Sequence, residues 1–147
     1  VADIRKILGA GFGPLFLYPA LTRGGTMLDL QTYNRICSEL TGTHYVRQWG
    51  DAHVWKVGEK VFALGREQED GTMHVTFKAS DMAWEIFRDT DGVQPAPYLA
   101  SRGLKWLHRT DDLGMDDETL IGLIADSHRM AAANLTKKRR AELGLAD

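Results

Sequence analysis

Between Thr43 and Lys78 the apolar residues of this chain recur every second position, in runs around Tyr45 to Trp49, His53 to Val57, Lys60 to Leu64 and Thr72 to Phe77. A period of two sends successive side chains to opposite faces of a strand. The breaks are Gly50-Asp51, Gly58-Glu59 and Glu69-Asp70-Gly71, and turns this short join only antiparallel neighbours. An antiparallel meander follows, and with it a requirement: one face of the sheet needs a cover.

The rest of the chain supplies that cover as helices. Asp29 caps a helix whose apolar positions Leu30, Tyr33, Ile36, Cys37 and Leu40 recur at spacings of three and four, with Gly42 as its stop. Ser80 caps a second helix carrying Met82, Ala83, Trp84, Ile86 and Phe87, and Asp91-Gly92, Pro95 and Pro97 then force irregular chain. Alternation resumes from Leu104 to Arg109, with Leu104, Trp106 and His108 facing one way. Asp116, Asp117 and Glu118 sit at the positive end of a long helix with an apolar stripe at Ile121, Ile124, Ala125, Ala131, Ala132 and Leu135, and Thr136 caps a short final helix ending at Gly144. The order α-β-β-β-β-α-β-α-α predicts an α+β fold, an antiparallel sheet with helices packed on one face.

With 147 residues the chain has enough material for one core and too little for two. Residues 28–147 read as a single domain and residues 1–27 as an N-terminal extension that covers it or a neighbouring subunit, which makes a homodimer one expectation. Within the extension Ile7 to Leu21 is apolar, but three glycines and two prolines interrupt it, and a membrane span needs roughly 20 apolar residues; no membrane partner is expected. A lone cysteine, Cys37, forms no intrachain disulfide and suits the cytoplasm. It lies on the inward face of the first helix, where packing is its ordinary role.

A net charge of -2 argues against indiscriminate coating of nucleic acid, which is driven by release of counterions from phosphates. A local surface is a different matter. If Met73, Val75 and Phe77 face the helices, Thr76 and Lys78 face outward, and Lys56 and Lys105 join them on the uncovered side. With Trp55 or Tyr98 near its rim, that surface would hold phosphates by charge and bases by stacking. Solubilising an exposed sheet is the ordinary role of such lysines. The basic run Lys137, Lys138, Arg139 and Arg140 is read first as a solvated complement to a helix dipole.

Candidates for chemistry are sparse. Asp51 and His53 alternate along a strand, the minimum for a carboxylate and imidazole pair, but two ligands do not make a metal site. His128 falls on the stripe of the long helix next to Ser127, where a histidine is usually a core residue with one hydrogen bond satisfied. His44, His74 and His108 show no paired spacing. Gly9, Gly11 and Gly13 mimic a phosphate loop, but Pro14 takes the place of the third glycine and no strand precedes them. No catalytic residue, metal or cofactor is assigned, and a non-enzymatic domain is expected.

Six segments in order carry a resemblance. They are the opening helix, WGDAHVWKVGEKVFAL at Trp49 to Leu64, HVTFKAS at His74 to Ser80, GVQPAPYL at Gly92 to Leu99, LKWLHR at Leu104 to Arg109, and ADSHRMAAANLTKKRR in the terminal helices. Together they resemble the MmcQ/YjbR family over Leu28 to Leu145. The resemblance implies a small α+β fold like a double-wing DNA-binding domain, with DNA as the expected partner. Members usually carry tyrosine after the serine where this chain has Ser127-His128, and the extension before Met27 has no counterpart in the pattern. The alternative is a protein-interaction or small-ligand module using the same sheet face or the groove beside Gly92 to Tyr98; an enzyme centred on Asp51 and His53 ranks third.

Overall fold

The computed structural model describes residues 28–145, so the expectations for the N-terminal extension lie outside the described residues. The elements are α1 (Leu30–Ser38), β1 (Thr43–Gln48), β2 (Ala52–Val57), β3 (Lys60–Glu67), β4 (Met73–Lys78), α2 (Asp81–Phe87), β5 (Val93–Pro95), a 3-10 turn (Ala100–Arg102), β6 (Trp106–Arg109), α3 (Asp117–Ala133) and α4 (Lys137–Glu142). Capping residues start each α-helix. Asp29, Ser80, Asp116 and Thr136 accept the backbone N–H groups of Thr32, Ala83, Thr119 and Arg139, groups with no partner inside a first turn. Two elements lie beyond expectation: β5, three residues long and ending on a proline within the stretch read as irregular, and the 3-10 turn that follows it.

The six strands form one antiparallel sheet in the order β1-β2-β3-β4-β6-β5. Register assigns the faces. Trp55, Ala63, Phe77 and Leu107 stand side by side in one row, and Gly65, Val75, Arg109 and Val93 in another on the same face. These rows point to the helices, and all their hydrophobic members belong to the core with Tyr33, Ile36, Leu120, Leu123 and Ile124. Val54, Leu64, Thr76 and His108 form the intervening row on the opposite face, with Arg66 and His74 one step along it. Met73, Val75 and Phe77 therefore point inward and Thr76 and Lys78 outward, as the alternation predicts.

Three contacts lock the helices onto the sheet. Tyr33 of α1 crosses β3 at Gly65, where a Cβ would come within 2.8 Å of its ring, and its hydroxyl donates to the His53 carbonyl at 2.7 Å. Ser127 of α3 sits where the β2–β3 pairing bulges: its Oγ accepts the Lys78 N–H at 3.0 Å and donates to the Phe62 carbonyl at 2.7 Å. Arg109 of β6 and Asp117 of α3 form a buried ion pair at 2.7 Å, with Arg109 Nε also donating to the Asp111 carbonyl at 2.9 Å.

Candidate functional site: a cleft on the open sheet face

The face away from the helices is not bare. The loop after β5 folds back over it, and with Trp49 from the β1–β2 turn it encloses a cleft of about 530 Å³. Its floor comes from Leu64 and Arg66 of β3, His74 and Thr76 of β4, and His108 of β6. Ala96, Pro97, Leu99, Tyr98 and Arg102 form one wall, and Trp49 stands on the other side, from the opposite edge of the sheet. A volume of this size falls within the range for small-molecule sites, and the mixture of apolar lining with a few polar groups matches them too.

Backbone geometry marks the two walls. Among the described residues, Trp49 (φ 51°) and Tyr98 (φ 74°) are the non-glycine residues with positive φ, and both line the cleft. A bulky side chain in the left-handed region is strained by roughly 1–3 kcal/mol and persists only where its surroundings hold it. Arg66 Nη1 holds the first by donating to the Trp49 carbonyl at 3.0 Å. Around Tyr98, the Ser101 hydroxyl donates to its carbonyl at 2.6 Å and the Arg102 guanidinium lies 6.0 Å from its ring centre. Both aromatic side chains nonetheless face water, Trp49 at 57% and Tyr98 at 74% exposure.

The charged residues of the lining, Arg66 and Arg102, are both basic. None of the lining residues is acidic, while two arginines and two histidines are among them. Arg35, Arg47, Arg88, Arg109, Arg129 and Arg139 each stand within ion-pair distance of a carboxylate; Arg66 and Arg102 have no such neighbour among the described residues. His74 and His108 meet edge to face at 5.6 Å, and Thr76 Oγ1 lies 2.8 Å from His108 Nδ1. Burial pushes the pKa of His108 below its ordinary value, with the nearby charges of His74 and Arg66 acting the same way.

The residues singled out from the sequence divide. Tyr98 is a wall of the cleft. Lys56 and Lys78 do share the open face, having the parity of Val54 and Thr76, on strands separated by β3. Lys105 leaves them, because it has the parity of Leu107 and its ammonium reaches the first residue of α2 and pairs with Asp81 at 2.9 Å. Trp55 points to the helix side and is only 7% exposed, with its indole N–H donated to Asn34 Oδ1 at 2.9 Å, so it offers no stacking surface.

Asp51 and His53 do not form a pair. Asp51 sits in the turn on Arg47 at 3.3 Å, and His53 Nδ1 is taken by the Tyr45 hydroxyl at 2.7 Å. Among the described residues no group of three or more His, Cys, Asp or Glu side chains is placed to hold a metal ion. His128 is a core residue with one hydrogen bond, Nε2 donating to the Thr41 carbonyl at 2.7 Å. Of the basic run, Arg139 is paired with Glu59 at 2.9 Å. Among the described residues no helix is long and apolar enough to cross a membrane.

A family model, YjbR, matches residues 38–130. The chain belongs to the YjbR family. The crystal structure of the Deinococcus radiodurans protein DR2400, whose domain is DUF419, is similar at 25% sequence identity and a TM-score of 0.70, covering 82% of this chain and 91% of that one. No curated protein matches. Every residue lining the cleft falls inside the part matched by the YjbR model. The sequence reasoning that reached the family missed Trp49, Arg66, His74, Arg102 and His108, because their convergence depends on strand register and on one folded-back loop. The phrase GVQPAPYL was the available signal: it marked a groove beside Gly92 to Tyr98 without showing what stood opposite.

Proposed function

We propose that this YjbR domain is a non-enzymatic binding module, and that its ligand is a small molecule received in the cleft on the open sheet face. The observation that carries this reading is the placement of both strained, exposed aromatic residues, Trp49 and Tyr98, on the walls of one cleft. Strain of this kind accumulates at ligand sites, where geometry is selected over stability. The floor beneath is rigid sheet, so the polar groups of Arg66, His74, Thr76 and His108 are held in place before any ligand arrives. The test is a titration of the isotope-labelled protein with a chemically mixed set of small molecules, followed by NMR. Binders should move the resonances of Trp49, His74, Arg102 and His108; a set whose binders all map elsewhere ends this reading.

DNA is the second reading, and one observation favours it: Lys56 and Lys78 lie on the same face as the cleft. They would add phosphate contacts beside Arg66 and Arg102. Binding of duplex and single-stranded oligonucleotides, measured at several salt concentrations, tests it. A phosphate-reading face loses affinity as salt rises, and Lys56→Glu with Lys78→Glu weakens it further. No binding at low salt removes DNA and leaves the small-molecule reading untouched.

A further inference from the structure

Resting on the reading of the cleft as a binding site, we infer that its occupant is a planar aromatic anion, a flat ring carrying one carboxylate or phosphate. Three independent features of the cleft point to this class.

The first is the pair of walls. Trp49 comes from the turn between the two strands at one edge of the sheet, and Tyr98 from the loop next to β5 at the other. An indole and a phenol, both exposed and both lining one cleft, are the side chains best suited to pack on a flat aromatic guest. Leu64, Ala96, Pro97 and Leu99 supply apolar surface between them.

The second is uncompensated positive charge. Arg66 and Arg102 line the cleft without a carboxylate neighbour among the described residues, whereas Lys105 and Arg109 are each neutralised by an aspartate. A planar guanidinium donates two parallel hydrogen bonds to a carboxylate or a phosphate, so an anionic group is the fitting complement.

The third is donor capacity left over. Thr76 Oγ1 lies against Nδ1 of His108, and with the hydroxyl donating there the ring proton sits on Nε2; the His74 ring meets His108 edge-on without a hydrogen-bond partner among the described residues. These imidazoles stand on the same floor as Arg66. An anion entering between them meets guanidinium together with an imidazole N–H in the tautomer that Thr76 donates to, while an uncharged ring would leave the charge of both arginines without a counterion.

The experiment compares four probes by NMR titration of the labelled protein: adenosine 5′-monophosphate, adenosine, inorganic phosphate and 2-naphthoate. The nucleotide or the naphthoate should shift the Trp49 indole and the His74 and His108 rings, and bind at least ten times more tightly than adenosine or phosphate alone. Comparing 2-naphthoate with a further probe that shares its ring, 2-naphthyl phosphate, distinguishes a carboxylate from a phosphate. Arg102→Ala, at an exposed position, should bring the tighter anion down to the affinity of adenosine. Arg66→Lys keeps a donor for the Trp49 carbonyl and should lose several-fold. Adenosine binding the cleft as tightly as its monophosphate overturns the anion and leaves the cleft standing as a site. Failure of all four probes to reach the cleft overturns it as well, and the mixed set described above then decides separately whether the cleft binds anything.

Discussion

The Ser127 hydroxyl donates to the carbonyl of Phe62 at 2.7 Å, joining α3 to the bulged stretch of β3 across 65 residues of chain. The same oxygen accepts the Lys78 N–H, so one buried hydroxyl serves two strands at the point where their own ladder stops after the Ala63 and Phe77 pair.

Ser127→Ala should therefore cost more than the loss of an ordinary hydrogen bond. It leaves a donor and an acceptor unanswered in the interior, worth about 1–3 kcal/mol. Urea unfolding of the two proteins measures it, and a difference below about 0.5 kcal/mol would show that the strands satisfy each other without the hydroxyl.

Arg109 and Asp117 give a sharper prediction because both are buried, with side chains 1% and 6% exposed. Asp117→Asn or Asp117→Ala strands a buried guanidinium and should destabilise by about 3–5 kcal/mol, whereas replacing both residues with apolar ones of similar size should recover most of the loss. Equal losses in the single and double variants, in the same unfolding assay, would refute the account.

Acid should destabilise the fold through three histidines. Burial lowers the pKa of His53, His108 and His128 in the folded chain, against an ordinary value of 6.5. Below that value the unfolded chain takes up protons that the folded chain resists, so these groups favour the fold at neutral pH and lose that contribution as pH falls through their lowered folded values. Thermal melts between pH 8 and pH 5 should show the melting temperature falling on the acid side. His128→Phe, which keeps a ring against Phe62 but forfeits the bond to the Thr41 carbonyl, should flatten part of that slope.

Trp49 and Tyr98 should separate stability from binding. Glycine has no penalty in the left-handed region, so Trp49→Gly and Tyr98→Gly should leave stability unchanged or raise it by up to about 1 kcal/mol while weakening the cleft ligand. A clear loss of stability in both would mean that the rings are there for packing.

Much of the framework was legible because its signals are local. The period of two in Met73 to Lys78 assigns inward and outward residues with no knowledge of the partner strands, and Asp29, Ser80, Asp116 and Thr136 mark the helix starts one by one. The cleft is a product of distance. His74 and His108 touch only because β6 pairs with β4 after a long excursion through α2 and β5. Trp49 looks like the last residue of a strand; Gly50-Asp51 announces the turn after it, but not that the turn begins one residue early and takes Trp49 itself into the left-handed region. Trp55 was misread because four successive residues of β2, Ala52 to Trp55, are buried, which removes the contrast between faces. Lys105 has the parity of Leu107 and Arg109, which face the helices, so alternation itself takes it off the open face, and only the fold shows that its charge meets Asp81, 24 residues earlier.

The walls of the cleft belong to connections, and its floor belongs to strands fastened by Tyr33 and Ser127 from beneath. The aromatic walls can thus change without touching the strands that hold the sheet together, while the polar floor cannot. A relative could exchange the hairpin tip and the overhanging loop, reshaping both walls of the cleft, and the sheet it inherits would fold as before.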